Sequence, residues 1–165
     1  VVNTFVKDAL ASGVMTLHYG GEMWRPLVDV RDAARAYIAC LSVEEDRLRG
    51  QIFNLCYRNF RISELALRVR EALRQAGVLC EVRVDYGYEG VRSYRVSGRK
   101  LASALDIQPI ISVEESVQDM VEKIRRYGYT DFDNPRYYNI RWLKTLEQAS
   151  QVVQVTGSVF GLEPS

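Results

Sequence analysis

Arg25 and Arg92 are the residues whose type and neighbours best suit them to chemistry. Each sits at the edge of a strand-like or loop segment beside a glycine-containing turn, Gly20-Gly21 for one and Gly87 to Gly90 for the other. A guanidinium is a planar, permanently charged fork. Two such forks converging on a diphosphate make charge-assisted, partly bidentate hydrogen bonds. The loop aromatics Trp24, Tyr86 and Tyr88 could stack on a base or a sugar, although aromatics near turns also serve as rim packing. For Arg25 the plainer alternative is a surface ion pair with Glu22, and spacing alone favours it.

Catalytic machinery is missing. The chain holds no G-x-G-x-x-G, P-loop, G-x-S-x-G, H-E-x-x-H or C-x-x-C motif. Gly87 and Gly90 are three residues apart but follow no suitable βα turn. No Tyr is followed four residues later by Lys, so a Tyr/Lys proton-transfer pair is absent as well. With His18 as its one histidine, the sequence offers no histidine-rich metal site, and no metal is expected. By itself the chain is predicted to be inactive in hydride chemistry.

The elements that must position these residues follow from periodicity. Val2, Phe5, Val6, Ala9 and Leu10 predict a helix over Val1 to Ala11. A strand over Val14 to His18 leads to the Gly20-Gly21 turn. Pro26 to Val30 alternates as a second strand, with Asp32 as N-cap of a helix running to about Val43. The charged run Glu44 to Gly50 reads as a solvated turn, and Gln51 to Cys56 as a buried strand. Ser63 is the expected N-cap of a helix that buries Leu65, Ala66, Val69, Ala72, Leu73 and Ala76 and closes at Gly77.

Cys80 to Asp85 alternates as a half-exposed strand, and Ser97 starts a short helix through Leu105. Ser112 and Glu115 form a capping box for a helix with Val117, Met120, Val121 and Ile124 inward and Arg125-Arg126 near its end. Ile140 to Ala149 predicts one more helix, and Gln151 to Ser165 has no clear period. Short strands alternating with helices place the chain in the α/β (α+β) class, with a region over 1–128 and a C-terminal tail over 129–165.

Composition is that of a globular domain: 165 residues, 47% hydrophobic, net charge +1. That charge gives no case for nucleic acid or a membrane surface, both of which call for a concentrated basic face. No apolar run is long enough to span a bilayer, and no signal peptide opens the chain. Cys40, Cys56 and Cys80 lack metal-like spacing and read as buried reduced thiols, which points to the cytoplasm. The chain begins at Val1, without Met and in the middle of a helical pattern. It is therefore expected to be a piece of a longer polypeptide.

Several segments, in order, resemble one family. Val2-Asn3-x-Phe5-Val6 is followed by Tyr19-Gly20-Gly21-Glu22-x-Trp24-Arg25-Pro26-Leu27-Val28-x-Val30-Arg31-Asp32-Ala33-Ala34. Phe53-Asn54-Leu55 precedes Ile62-Ser63-Glu64-Leu65-Ala66, and Arg92-Ser93-Tyr94-Arg95-Val96-Ser97-x-x-Lys100-Leu101 leads on to Ser112 to Glu115. Together, over about Val1 to Tyr138, these are similar to the second half of extended short-chain dehydrogenase/reductases (SDRs). The members in question are the NAD-dependent nucleotide-sugar epimerases and dehydratases.

The resemblance implies the C-terminal substrate-binding part of an extended Rossmann-type enzyme. Arg25 and Arg92 match the two family arginines that contact the nucleotide diphosphate. Leu17, His18 and Tyr19 lie in the strand and turn that line the base, and Asp32 matches a helix-capping Asp. Two positions depart from the family: Asp29 stands where His or Tyr is usual, and Gly90 where an Asp often precedes the second Arg. The cofactor-binding half, with NAD or NADP and the catalytic Tyr/Lys pair, would lie upstream of Val1.

The implied partners are a nucleoside-diphosphate sugar and the missing N-terminal Rossmann half. The alternative is a non-catalytic SDR-derived module, in which Asp29, Tyr137-Tyr138 and the stretch Val152-Val153 through Phe160 serve a protein contact. A piece standing alone is expected to expose apolar surface, including the Phe5-Val6 face, and to self-associate, for example as a homodimer.

Overall fold

The computed structural model describes residues 1–87 and 92–157, and it divides into two compact units, Val1–Gly128 and Tyr129–Ser165. In the first unit the helix richest in small and branched apolar residues lies at the centre. This is α4 (Ile62–Gln75), whose Leu65, Ala66, Val69, Ala72 and Leu73 are all fully buried. Against it pack α1 (Val2–Ser12) through Phe5, Val6 and Ala9, and α6 (Val113–Tyr127) through Val117 and Val121. Arg68 on α4 also makes a bidentate ion pair with Glu114 on α6, at 2.7 and 3.0 Å.

Two small sheets complete the unit. Strand β1 (Val14–His18) runs parallel to β4 (Glu81–Asp85), with Met15 opposite Val82 and His18 opposite Asp85. Strand β2 (Trp24–Leu27) runs antiparallel to β3 (Arg58–Arg61), with Arg25 opposite Phe60. Met15, Leu17 and Phe60 carry these sheets into the core. The remaining helices are α2 (Val30–Leu41), the short α3 (Glu45–Leu48) and α5 (Arg99–Leu105). Short parallel and antiparallel strands thus alternate with helices, as in α/β folds.

The second unit is a 3₁₀ turn (Pro135–Tyr137) and the long helix α7 (Asn139–Thr156). This helix runs well past Ala149. Its Leu143, Leu146, Val152, Val153 and Val155 are exposed, while Phe160 lies outside the described residues. Among the described residues no helix is long and apolar enough to cross a membrane.

Several expectations need correction. Helix α2 starts at Val30 and is capped by Asp29, whose side chain accepts from the Arg31 amide at 2.9 Å. β2 ends at Leu27, so the chain is free to turn at Asp29, three residues before Asp32. Asp32 instead lies in the first helical turn, 2% exposed, and accepts the Ile110 and Ile111 amides at 3.1 and 2.9 Å. Its carboxylate ties α2 to the segment leading into α6. Likewise Ser63 is not a cap. β3 runs straight into α4, and the Ile62 amide finds the Met23 carbonyl of the β2 side at 3.0 Å.

Gln51 to Cys56 forms no strand among the described residues, because no neighbouring strand offers it a ladder, and Ile52 is 83% exposed. The charged run after α2 winds into α3, and α5 begins at Arg99 rather than Ser97. The Phe5-Val6 face is core rather than exposed surface, since α4 and α6 cover it. The exposed apolar face belongs to α2, where Val30, Tyr37, Ile38 and Leu41 are all more than half exposed. All three cysteines are half-buried free thiols. Burial pushes the Cys56 and Cys80 thiols upward, which favours the protonated form.

Candidate anion-binding site

Arg25 belongs to a four-residue strand whose side chains alternate between the two sheet faces. Residues opposed across an antiparallel pair share a face, so Arg25 lies on the side of fully buried Phe60. Trp24 and Arg61 share the other face. Half-buried there, the Arg25 guanidinium donates from Nη1 to the Trp24 carbonyl at 2.8 Å and to the carbonyl of Arg92. Its carbon stands 5.4 Å from the Tyr94 ring centroid. The expected Glu22 pair does not form; Glu22 binds Arg61 at 2.9 Å. Among the described residues no carboxylate pairs with Arg25 or with exposed Arg92.

The segment carrying Arg92 is pinned to the β2–β3 pair by four further hydrogen bonds, two to each strand. Ser93 Oγ accepts the Trp24 amide at 3.0 Å, and the Tyr94 amide donates to the Trp24 carbonyl at 3.3 Å. Asn59 Nδ2 donates to the Val96 carbonyl, and Asn59 Oδ1 accepts the Val96 amide, both at 2.9 Å. These contacts span tens of residues, so no local spacing in the sequence could signal Ser93, Tyr94 or Asn59.

Trp24 is not free to stack on a base. Arg61 and Arg95 stand over its ring at 5.6 and 5.1 Å, an arrangement favoured by the ring quadrupole. Tyr88 and Gly90 lie outside the described residues.

The other candidates gather at the C-terminal end of the β1–β4 pair. Leu17 is buried and packs in the core. His18 Nδ1 meets Asp85 Oδ2 at 3.0 Å, and Asp85 also accepts the Gly87 amide at 2.9 Å. The Gly87 amide and His18 hold the Asp85 carboxyl below its usual range. Tyr19 is exposed with a left-handed backbone, φ 52°. The turn it opens requires glycine at Gly21, where a Cβ would come within 2.7 Å of the Ser63 nitrogen. Tyr86 lies against Gly20, with its ring carbon 3.2 Å from where a Cβ would stand. His18, Tyr19 and Tyr86 thus share one sheet end, while Arg25 and Arg92 share the β2 edge.

A cleft of about 590 Å³ opens elsewhere, lined by Asn3, Thr4, Asp29, Arg31, Ser116 and Lys123 among others. None of the five sequence candidates lines it. Its charges are satisfied internally. Asp29 binds Arg31 at 2.9 Å and also accepts from Ser116, which holds its carboxyl far below the usual range. Asp119 binds Lys123 at 2.8 Å. With its side-chain cations Arg31 and Lys123 paired to Asp29 and Asp119, this cleft suits a phosphate less well than the β2 edge does.

A dinucleotide does not fit the described residues. The glycine turn after β1 closes on Ser63 and leads into β2, so no helix N-terminus faces a pyrophosphate there. No group of three or more His, Cys, Asp or Glu able to hold a metal occurs among them.

No protein-family model matches the chain, and a search of curated proteins by sequence finds no match. Solved structures do match. UDP-glucuronic acid 4-epimerase from Bacillus cereus, in complex with UDP-glucuronic acid and NAD, aligns at TM-score 0.62 and 16% identity, over 76% of this chain and 40% of that one. UDP-glucose 4-epimerase from Thermotoga maritima, with UDP-glucose, aligns at TM-score 0.60 and 23% identity, over 76% and 39%. A monomeric L-threonine 3-dehydrogenase from a metagenome aligns at 0.61 and 17%, over 76% and 41%. The chain therefore spans about two fifths of the length of the structures it matches. At these identities the likeness is one of fold: the chain adopts part of the α/β fold of the nucleotide-sugar epimerases and the L-threonine dehydrogenases.

Proposed function

We propose that this chain is the nucleoside-diphosphate-sugar-binding half of an NAD(P)-dependent epimerase or dehydratase of the extended SDR type. The observation that carries this reading is Arg25, a half-buried guanidinium that meets no carboxylate among the described residues and is bonded to the backbone of the exposed Arg92. Two unneutralised cations at one strand edge suit a diphosphate. A threonine-like substrate has a single carboxylate and would leave one of them unused. The shared fold permits both substrate classes, and the arginine pair favours the first.

In this reading Arg25 and Arg92 hold the diphosphate, while His18 and Tyr19, with the backbone of core-packed Leu17 behind them, form the wall nearest the base. NAD or NADP would be held by residues outside this chain, where it supplies a hydride acceptor and donor. The partner half also accounts for two unsatisfied features. Val30, Ala34, Tyr37, Ile38 and Leu41 make one exposed apolar stripe on α2, at the i, i+4, i+7, i+8, i+11 rhythm. The strand-like Gln51 to Cys56 segment that follows lacks a ladder. A helix and strand in that order suit one face and one edge of a parallel sheet.

Calorimetric titration with UDP and dTDP tests the reading. Arg25→Ala and Arg92→Ala should each weaken binding by about 1.5–3 kcal/mol, the range for a hydrogen bond to a charged group. Unchanged affinity in the double variant would sink the assignment.

A further inference from the structure

Between β3 and the Arg92 segment lies a two-bond contact made by one side-chain amide. Asn59 faces Val96 with both ends of its carboxamide, donating to the carbonyl and accepting from the amide at 2.9 Å each. A side-chain amide engaging the two backbone groups of one residue reproduces a pair of ladder bonds, so Val96 is held as if by another strand. Asn59 sits on β3 opposite Pro26, which has no N–H to offer in the ladder. From Val96 back to Arg92 the segment runs along β2, bonded to Trp24 at Ser93 and Tyr94 and to Arg25 at Arg92.

We propose that Asn59 is a positioning residue for the anion site: by clamping Val96 it fixes the segment that brings Arg92 to Arg25. This rests on the reading of Arg25 and Arg92 as a nucleoside-diphosphate site. Among the described residues the other bonds that hold the segment are single ones, linking Ser93 and Tyr94 to Trp24 and the Arg92 carbonyl to Arg25. The Arg92 guanidinium itself is exposed, and among the described residues only its carbonyl is bonded, to Arg25. Without the clamp, ordering of Arg92 would have to be paid at the moment of ligand binding.

The test uses Asn59→Leu, which keeps the volume and removes both bonds, and Asn59→Asp, which keeps the acceptor and loses the donor. UDP is the titrant and inorganic phosphate the control. Asn59→Leu should bind UDP about tenfold more weakly, as expected when one charged hydrogen bond is misplaced. Asn59→Asp should fall between Asn59→Leu and wild type. Adding Arg92→Ala to Asn59→Leu should cost little more, because both changes remove the same interaction. UDP affinity within twofold of wild type in Asn59→Leu, even with a lowered melting temperature, would reduce Asn59 to a packing role and overturn the proposal.

Amide hydrogen exchange separates this from failure of the site reading itself. In Asn59→Leu without ligand, the amides of residues 93–96 should exchange at least about tenfold faster while those of β1 and β4 stay unchanged. Unchanged exchange at Val96 overturns the clamp. Absence of UDP binding by the wild-type chain overturns the diphosphate reading, and exchange alone then decides the clamp.

Discussion

Arg25 donates a hydrogen bond to the backbone carbonyl of Arg92, 67 residues further along the chain. One arginine therefore helps place the other. The first uses part of its fork on two carbonyls, its own neighbour's and Arg92's, and among the described residues meets no carboxylate. The pair is one unit in both structure and charge.

Arg25→Lys should accordingly behave almost like Arg25→Ala. An ammonium keeps the charge, but its single nitrogen would be taken up by the two carbonyls that Arg25 Nη1 serves, leaving no second and third nitrogen in a planar fork for a ligand. UDP affinity is expected to drop by about 1–3 kcal/mol. Titration of the lysine variant checks this, and near-wild-type affinity would show that charge alone suffices.

Gly21→Ala should destabilise the first unit more than Gly20→Ala. Both residues have positive φ, which costs a residue with a Cβ about 1–2 kcal/mol. At Gly21 the Cβ would also strike the backbone nitrogen of Ser63 at 2.7 Å, at the start of the central helix. At Gly20 its one tight contact is the exposed Tyr86 ring, at 3.2 Å, which can rotate away. Urea unfolding of the two variants should differ by about 1 kcal/mol or more.

What could be read from the sequence was whatever depends on neighbours within a turn or two. The core stripe of α4, the β1 limits, the Ser112–Glu115 capping box and the inward face of α6 all have local signatures. What could not be read was where two local solutions compete or where a partner is distant. Asp29 and Asp32 are both good caps, and the end of β2 decided between them. Gln51 to Cys56 has a strand pattern, but a strand needs an edge. Arg25 could be singled out by its type beside a glycine turn, yet the Asn59–Val96 contact joins residues 37 apart and has no local trace.

The division of labour between the two aspartates has a measurable consequence. Asp29→Ala removes a cap and should cost about 1 kcal/mol, with further loss from the Arg31 and Ser116 bonds. Asp32→Ala leaves the Ile110 and Ile111 amides without their acceptor in a buried place. That should cost about 2–4 kcal/mol. The larger loss at Asp32, read by denaturant unfolding, would mark it as a tertiary latch; equal losses would return it to a simple role in the helix's first turn.

The Arg68–Glu114 pair gives the packing of α4 against α6 a defined pH dependence. The Arg68 guanidinium, bonded at 2.7 and 3.0 Å, lowers the Glu114 carboxyl from its ordinary 4.5. A carboxyl with a depressed folded value binds fewer protons in the folded chain than in the unfolded one. Its stabilisation is therefore complete above the ordinary value, declines as pH falls below it, and is gone below the depressed value. Glu114→Gln cannot ionise and should lack this component at every pH. The gap in melting temperature between wild type and Glu114→Gln should thus be full at neutral pH and close on acidification below 4.5. Both side chains are about one third exposed, so screening keeps the gap small. A gap that persists undiminished below about pH 2 would mean that shape, not charge, is what Glu114 contributes.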